Sequence, residues 1–192
     1  MRAMRQFVVR VDNKFTNEIK LKSGVTLMLD TKFEPHKHRA FYGEVVELPA
    51  KEKSPVSIGD KLYFHHSIIF NENFQIADDL FLVAYESAGG YNSLCYAYEH
   101  DGVIHTLGDF IFLTPPAKEE VKSESGLFLG FEKKVEDRGY IKYMNELGDE
   151  LGVSIGDLVG FTPNSDCEFI INDEKLWRMR LQDLTVVYEQ KD

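Results

Sequence analysis

The chain has 192 residues, enough for one or two compact domains. Apolar residues make up 43%, aromatics 12% and charged residues 28%, a balance that excludes global disorder. The formal charge of −10 repels phosphate and argues against nucleic acid, because the densest basic stretch, residues 32–39 with Lys32, His36, Lys37, His38 and Arg39, is short.

Short strand patterns dominate from the N-terminus onward. F-V-V-R-V-D at residues 7–12 is β-branched and compact. Residues 30–39 hold Lys, Glu, Pro and His with little to bury, so they are expected to form an exposed, mobile loop. An apolar run, V-T-L-M-L at residues 25–29, sits beside that loop. G-E-V-V-E-L at 43–48 alternates until Pro49 stops it, and strands follow at 61–64, 80–85 and 94–98. D-F-I-F-L at 109–113 reads as a strand shared between two halves of the chain. Residues 115–125 and 132–137 are again polar and loop-like, and they flank a second apolar cluster, L-F-L at 127–129. Strands are expected at 140–143, 158–161, 168–171, 176–179 and 184–188. N-E-L-G-D-E-L-G at 145–152 looks partly helical, but its two glycines favour a turn. Many short strands between turns imply an all-β barrel or sandwich.

The order of these patterns repeats. V-S-I-G-D occurs at 56–60 and again at 153–157, an offset of 97. F-V-V-R-V at residue 7 matches F-I-F-L-T at residue 110, and S-G-V-T-L at 23 matches S-G-L-F-L at 125. G-E-V-V at 43 matches G-Y-I-K at 139. Collinear matches at similar offsets imply a duplicated unit of about 100 residues. In V-S-I-G-D the Val and Ile are expected to share a face and seed a strand, with Gly turning the chain and Asp capping the turn.

Candidate chemistry is sparse. Cys95 and Cys167 form no disulfide framework or paired zinc spacing, which fits a reducing cytoplasm. They have no basic neighbour to activate them and are read as packing residues. His36 and His38 are two apart and His65 and His66 adjacent, but no carboxylate or cysteine pattern completes a metal site, so solvated histidines are expected. Asp78 and Asp79 are read as exposed turn charges, and Trp177 as a core or edge anchor. No catalytic residue, metal or cofactor is assigned. The N-terminal residues lack the apolar stretch of a signal peptide, and no window approaches the roughly 20 apolar residues of a membrane span.

In order and spacing the chain resembles a tandem of two GroES-type co-chaperonin domains. The family runs first strand, mobile loop with an apolar triplet, G-E-V strand, V-x-x-G-D corner and closing strands. The second half is similar to this throughout: D-F-I-F-L at 109, S-G-L-F-L-G at 125, R-G-Y-I at 138, V-S-I-G-D at 153, I-N-D-E-K-L-W-R-M at 171 and D-L-T-V-V-Y-E at 183. The S-G-L-F-L-G loop is especially similar to loops of phage-encoded co-chaperonins. The first half fits from residue 7 to 64 and then departs, with about thirty residues, 65–94, before its closing strands.

The resemblance implies two small GroES-like β-barrels, residues 1–108 with an insertion at about 65–94 and residues 109–192. It implies mobile loops, and roof hairpins reduced to the connections at 49–55 and 145–152. It implies no enzyme but a cytoplasmic lid that caps a GroEL-type chaperonin ring, encloses an unfolded client protein, and assembles as a homo-oligomeric ring. The contact residues it implies are Val25, Leu27, Met28 and Leu29 in the first loop and Leu127, Phe128 and Leu129 in the second. Two alternatives stand beside it. The apolar clusters are strand edges tucked into their own barrels, or the protein is a phage-like structural or assembly barrel that binds no chaperonin. A third alternative, an enzyme with a dehydrogenase-type barrel, has little support, since neither a G-x-G-x-x-G stretch nor a paired-Cys zinc site occurs.

Overall fold

A computed structural model describes residues 3–15, 18–20, 23–28, 39–86, 93–116, 120–122, 128–131 and 137–188. The chain divides into two compact units, Met1–Gly108 and Asp109–Asp192. Each unit is built on one six-stranded antiparallel sheet and one separate two-stranded hairpin.

In the first unit β1 (Gln6–Arg10) leads to the hairpin strands β2 (Glu18–Lys20) and β3 (Thr26–Met28). The sheet resumes with β4 (Tyr42–Glu47) and β5 (Lys61–Phe64). A short helix α1 (Ser67–Phe70) and a 3-10 turn (Glu72–Phe74) precede β6 (Leu80–Ala84), β7 (Cys95–His100) and β8 (Val103–Thr106). The sheet order is β6-β1-β4-β5-β7-β8. Alternation along β1 puts Phe7 and Val9 into a core shared with Val45, Leu62, Phe64, Ile68, Phe81 and Val83, all essentially without exposure.

The second unit repeats the plan. β9 (Phe110–Thr114) leads to the hairpin β10 (Glu120–Lys122) and β11 (Phe128–Phe131), then β12 (Arg138–Tyr143), helix α2 (Glu146–Glu150) and β13 (Leu158–Phe161). β14 (Cys167–Ile171), β15 (Glu174–Arg180) and β16 (Leu184–Tyr188) close it, in the order β14-β15-β9-β12-β13-β16. Its core holds Ile111, Leu113, Ile141, Val159, Phe161, Trp177 and Met179. The Trp177 ring meets Phe161 edge-on at 5.8 Å.

Five strands therefore correspond one to one: β6, β1, β4, β5 and β7 with β15, β9, β12, β13 and β16. The register makes the match residue by residue. Val9 lies between Val45 and Phe81, and Leu113 lies between Ile141 and Trp177. The sheet thus aligns Phe7 with Ile111, one residue away from the sequence match to Phe110. Pairing decides this, because a one-residue slip turns every side chain to the other face.

Three further expectations are corrected. Among the described residues β9 pairs only with β12 and β15, and Asp109 is tied to Arg180 of the same unit at 2.7 Å, so this strand is not shared. The segment 65–94 is not wholly an insertion, because β6 within it is the core partner of β1. Residues 145–152 contain the helix α2, not only a turn. Asn145 caps it by accepting the Leu147 N–H at 3.2 Å, and Gly148 lies inside it, packed on the Met144 side chain.

Candidate interaction hairpins

Each hairpin leaves its sheet at the same place, between the first and second core strands. In the first unit the foot of the excursion is closed. Phe15 and Arg39 form a β-bridge, and Ala40 N–H donates to Lys14 O at 3.0 Å. Beyond the foot, Glu18 pairs with Met28, Ile19 with Leu27 and Lys20 with Thr26. The chain reverses at residues 23–25, where Gly24 takes φ +83° with open space around it.

The exposed character of this hairpin is its informative property. Val25 is 52%, Leu27 45% and Met28 73% exposed. Single exposed apolar residues are common, but three within four residues on a hairpin that, among the described residues, pairs only with itself are not. Two three-residue strands are marginal in water without a third strand or a packing surface. Leu29 lies outside the described residues.

In the second unit Glu120 pairs with Phe131, Val121 with Gly130 and Lys122 with Phe128, with a bulge between Val121 and Lys122. Phe128 and Leu129 are on β11, and Leu127 lies outside the described residues. E-V-K at 120–122 is too polar and short to read as a strand alone, and its pairing with β11 makes it one within the expected loop.

Beside the foot of the first hairpin lies a cluster of rings. Arg39 is only 5% exposed and its guanidinium lies over the Phe70 ring of α1. Burial lowers its pKa from the ordinary guanidinium value. The Phe41 and His66 rings meet edge-on at 6.3 Å, and His66 stacks on His65 at 4.2 Å. His65 Nδ1 is 2.7 Å from Ser67 Oγ. His65 and His66 are therefore packed rather than merely solvated; His36 and His38, with most of the basic stretch 32–39, lie outside the described residues.

The two V-S-I-G-D corners superpose in their bonding. Asp60 and Asp157 accept the N–H of Ser57 and Ser154 at 2.7 and 2.8 Å. Val45 N–H donates to Asp60 O at 2.8 Å and Ile141 N–H to Asp157 O at 2.9 Å. Gly59 and Gly156 take φ +93° and +96°. Val56 and Val153 are buried, but Ile58 and Ile155 are each 63% exposed, so the two apolar residues do not share a face. A compact turn, rather than a strand, occupies the motif. In the first unit alone Asp60 also meets His100, Nδ1 to Oδ1 at 2.6 Å. That hydrogen bond, then the charges of Asp60 and Asp101, holds the His100 pKa above the ordinary histidine value.

Little else invites chemistry. Burial pushes the Cys95 thiol up to about 12, which keeps it protonated and inert. Cys167 is exposed on the edge strand β14, against the packing role expected for it. Burial also raises the pKa of Tyr85 and Tyr98. Asp79 is an exposed charge that meets Arg10 at 3.4 Å. An open aliphatic groove in the second unit is lined by Leu151, Val153, Leu181, Leu184, Val186 and Val187 beside Gln182 and Thr185, none of them titratable. Among the described residues no three His, Cys, Asp or Glu side chains gather as a metal site, and no helix is long and apolar enough to cross a membrane. No protein-family model matches the chain, and no curated protein matches it significantly.

Proposed function

We propose that this chain is a co-chaperonin, a lid for a GroEL-type ATP-driven chaperonin ring, with its two units acting as small GroES-like barrels. One observation carries the reading: both units send out a separate hairpin at the same topological position, and the first presents Val25, Leu27 and Met28 to solvent. A barrel with only a structural task has no use for apolar side chains held away from its core.

In this reading the apolar strand of each hairpin, Val25 to Leu29 in the first unit and Leu127, Phe128 and Leu129 in the second, enters an apolar groove on the chaperonin ring. Each hairpin binds weakly, because ordering it on docking offsets part of the contact energy. A homo-oligomeric ring presents many hairpins at once, and effective concentration turns weak contacts into a tight, releasable cap over an unfolded client. The connections where roof hairpins would stand are short, residues 49–55 and α2, which leaves the dome open. The work is done by binding in the cytoplasm, with no catalytic residue and no cofactor. The resemblance of the second loop to phage-encoded co-chaperonins makes a phage-type protein the nearest functional model.

The test is capture of a GroEL-type ring by the tagged protein in ATP. Wild type is expected to retain the ring, and Leu27→Asp with Leu129→Asp to lose it. Equal retention by wild type and the double variant sinks the reading.

A further inference from the structure

The first hairpin has a device at its foot that the second unit lacks. In the first unit α1 follows β5, whereas in the second β13 and β14 are joined by residues 162–166 alone. α1 is fixed from below: Ile68 is fully buried in the core, His65 N–H donates to Leu94 O at 2.8 Å, and Ser67 N–H donates to His65 Nδ1 at 3.1 Å. Its last residue, Phe70, is 55% exposed, and the ring carries the Arg39 guanidinium. Arg39 is one half of the Phe15–Arg39 bridge, and the next residue, Ala40, makes the bond to Lys14 that closes the foot.

A guanidinium buried to this degree is costly unless something replaces its water. Arg39 Nε is buried without a hydrogen-bond partner. The guanidinium lies over the Phe70 ring, and arginine suits such a contact because its cation is planar and weakly hydrated.

We propose that Arg39 is a positioning residue, whose stack on Phe70 latches the foot of the first hairpin to α1 and holds that hairpin ready to dock. The latch itself stands on geometry; its consequence for docking rests on the co-chaperonin reading. Holding the foot closed fixes the two ends of the excursion, which reduces the conformational entropy lost on binding. The two hairpins are then unequal: the first is held at its foot by a helix, and the second has no helix at that place.

Hydrogen exchange on the free protein tests the latch, with Phe70→Ala and Arg39→Lys beside wild type. Phe70→Ala removes the ring and Arg39→Lys the planar cation, and neither opens the core, since Phe70 is half exposed and Lys keeps the charge. The amide of Ala40 and those of residues 18–20 and 26–28 are expected to exchange about tenfold faster in both. The amide of Val45, bonded to Asp60 O in the sheet, is expected to be unchanged. Unchanged Ala40 exchange in both variants overturns the latch. Chaperonin capture then separates the two claims. Several-fold weaker capture by Phe70→Ala, with the hairpin sequence intact, supports the positioning role, and undiminished capture despite faster exchange overturns it. Faster exchange with no capture by wild type keeps the latch and removes the docking reading.

Discussion

Gly43 and Gly139 stand at equivalent places at the start of the second core strand, and both are there for space. A Cβ at Gly43 would lie 2.6 Å from Arg10 O, and one at Gly139 would lie 3.0 Å from Leu113 Cβ. The neighbour at Gly43 is backbone and cannot swing away. Gly43→Ala is therefore expected to destabilise the first unit by about 1–3 kcal/mol in denaturant unfolding, and Gly139→Ala the second by less. His100 gives a pH signature. Its folded pKa is raised by Asp60, so its contribution is fully present below the unfolded value of about 6.5 and is lost as pH rises through the folded pKa. The stability of wild type relative to His100→Gln is expected to decline over that interval, and a difference that grows with pH would contradict the pairing. The second unit has no histidine and no such dependence at its corner. The sequence showed the glycine and aspartate of V-S-I-G-D as turn residues. It did not show that Ile58 and Ile155 face solvent, because the turn begins earlier than alternation suggests.

At the scale of elements, core strands were legible because Val, Ile, Phe and Tyr alternate or cluster between turn residues. The strands that escaped notice are short and polar, and pairing alone makes them. β8 is an example: V-I-H-T follows Asp101 and Gly102, both at positive φ, and the D-G pair at that point was the available hairpin signal. β2 and β10 carry no such mark in E-I-K and E-V-K. Of the two apolar clusters, Leu27 and Met28 lie on β3 and Phe128 and Leu129 on β11, while most of the polar loop residues expected to be mobile lie outside the described residues. Since Leu27 and Met28 do not belong to the core, Leu27→Asp and Met28→Asp are expected to change unfolding free energy by less than about 0.5 kcal/mol. A loss of several kcal/mol in thermal or denaturant unfolding would mean that the hairpin is a packed strand edge.

At the scale of the whole chain, duplication was the feature most readable from sequence, because the corner motif survives twice in identical form. What remained hidden was which strand of the first half answers β15. β6 lies far from its expected place along the chain, after α1 and the 3-10 turn, and only its pairing with β1 reveals the equivalence. Each unit has its own core, so each is expected to report its own damage. Phe7→Ala removes a fully buried ring and is expected to cost the first unit about 3–5 kcal/mol. The single tryptophan, Trp177, lies in the second core, and its fluorescence transition is expected to stay in place in that variant. A matching shift of the Trp177 transition would show one cooperative unit instead of two.

The central claim is that the hairpins dock on a chaperonin, and the ATPase rate of a GroEL-type ring tests it most directly. Wild type is expected to slow ATP hydrolysis at near-stoichiometric concentration, a Leu27→Asp, Leu129→Asp variant of equal stability to leave the rate unchanged, and each single variant to lie between. An unchanged ATPase rate with wild type, on GroEL-type rings from several sources, would contradict the account and leave two β units whose exposed hairpins serve some other contact.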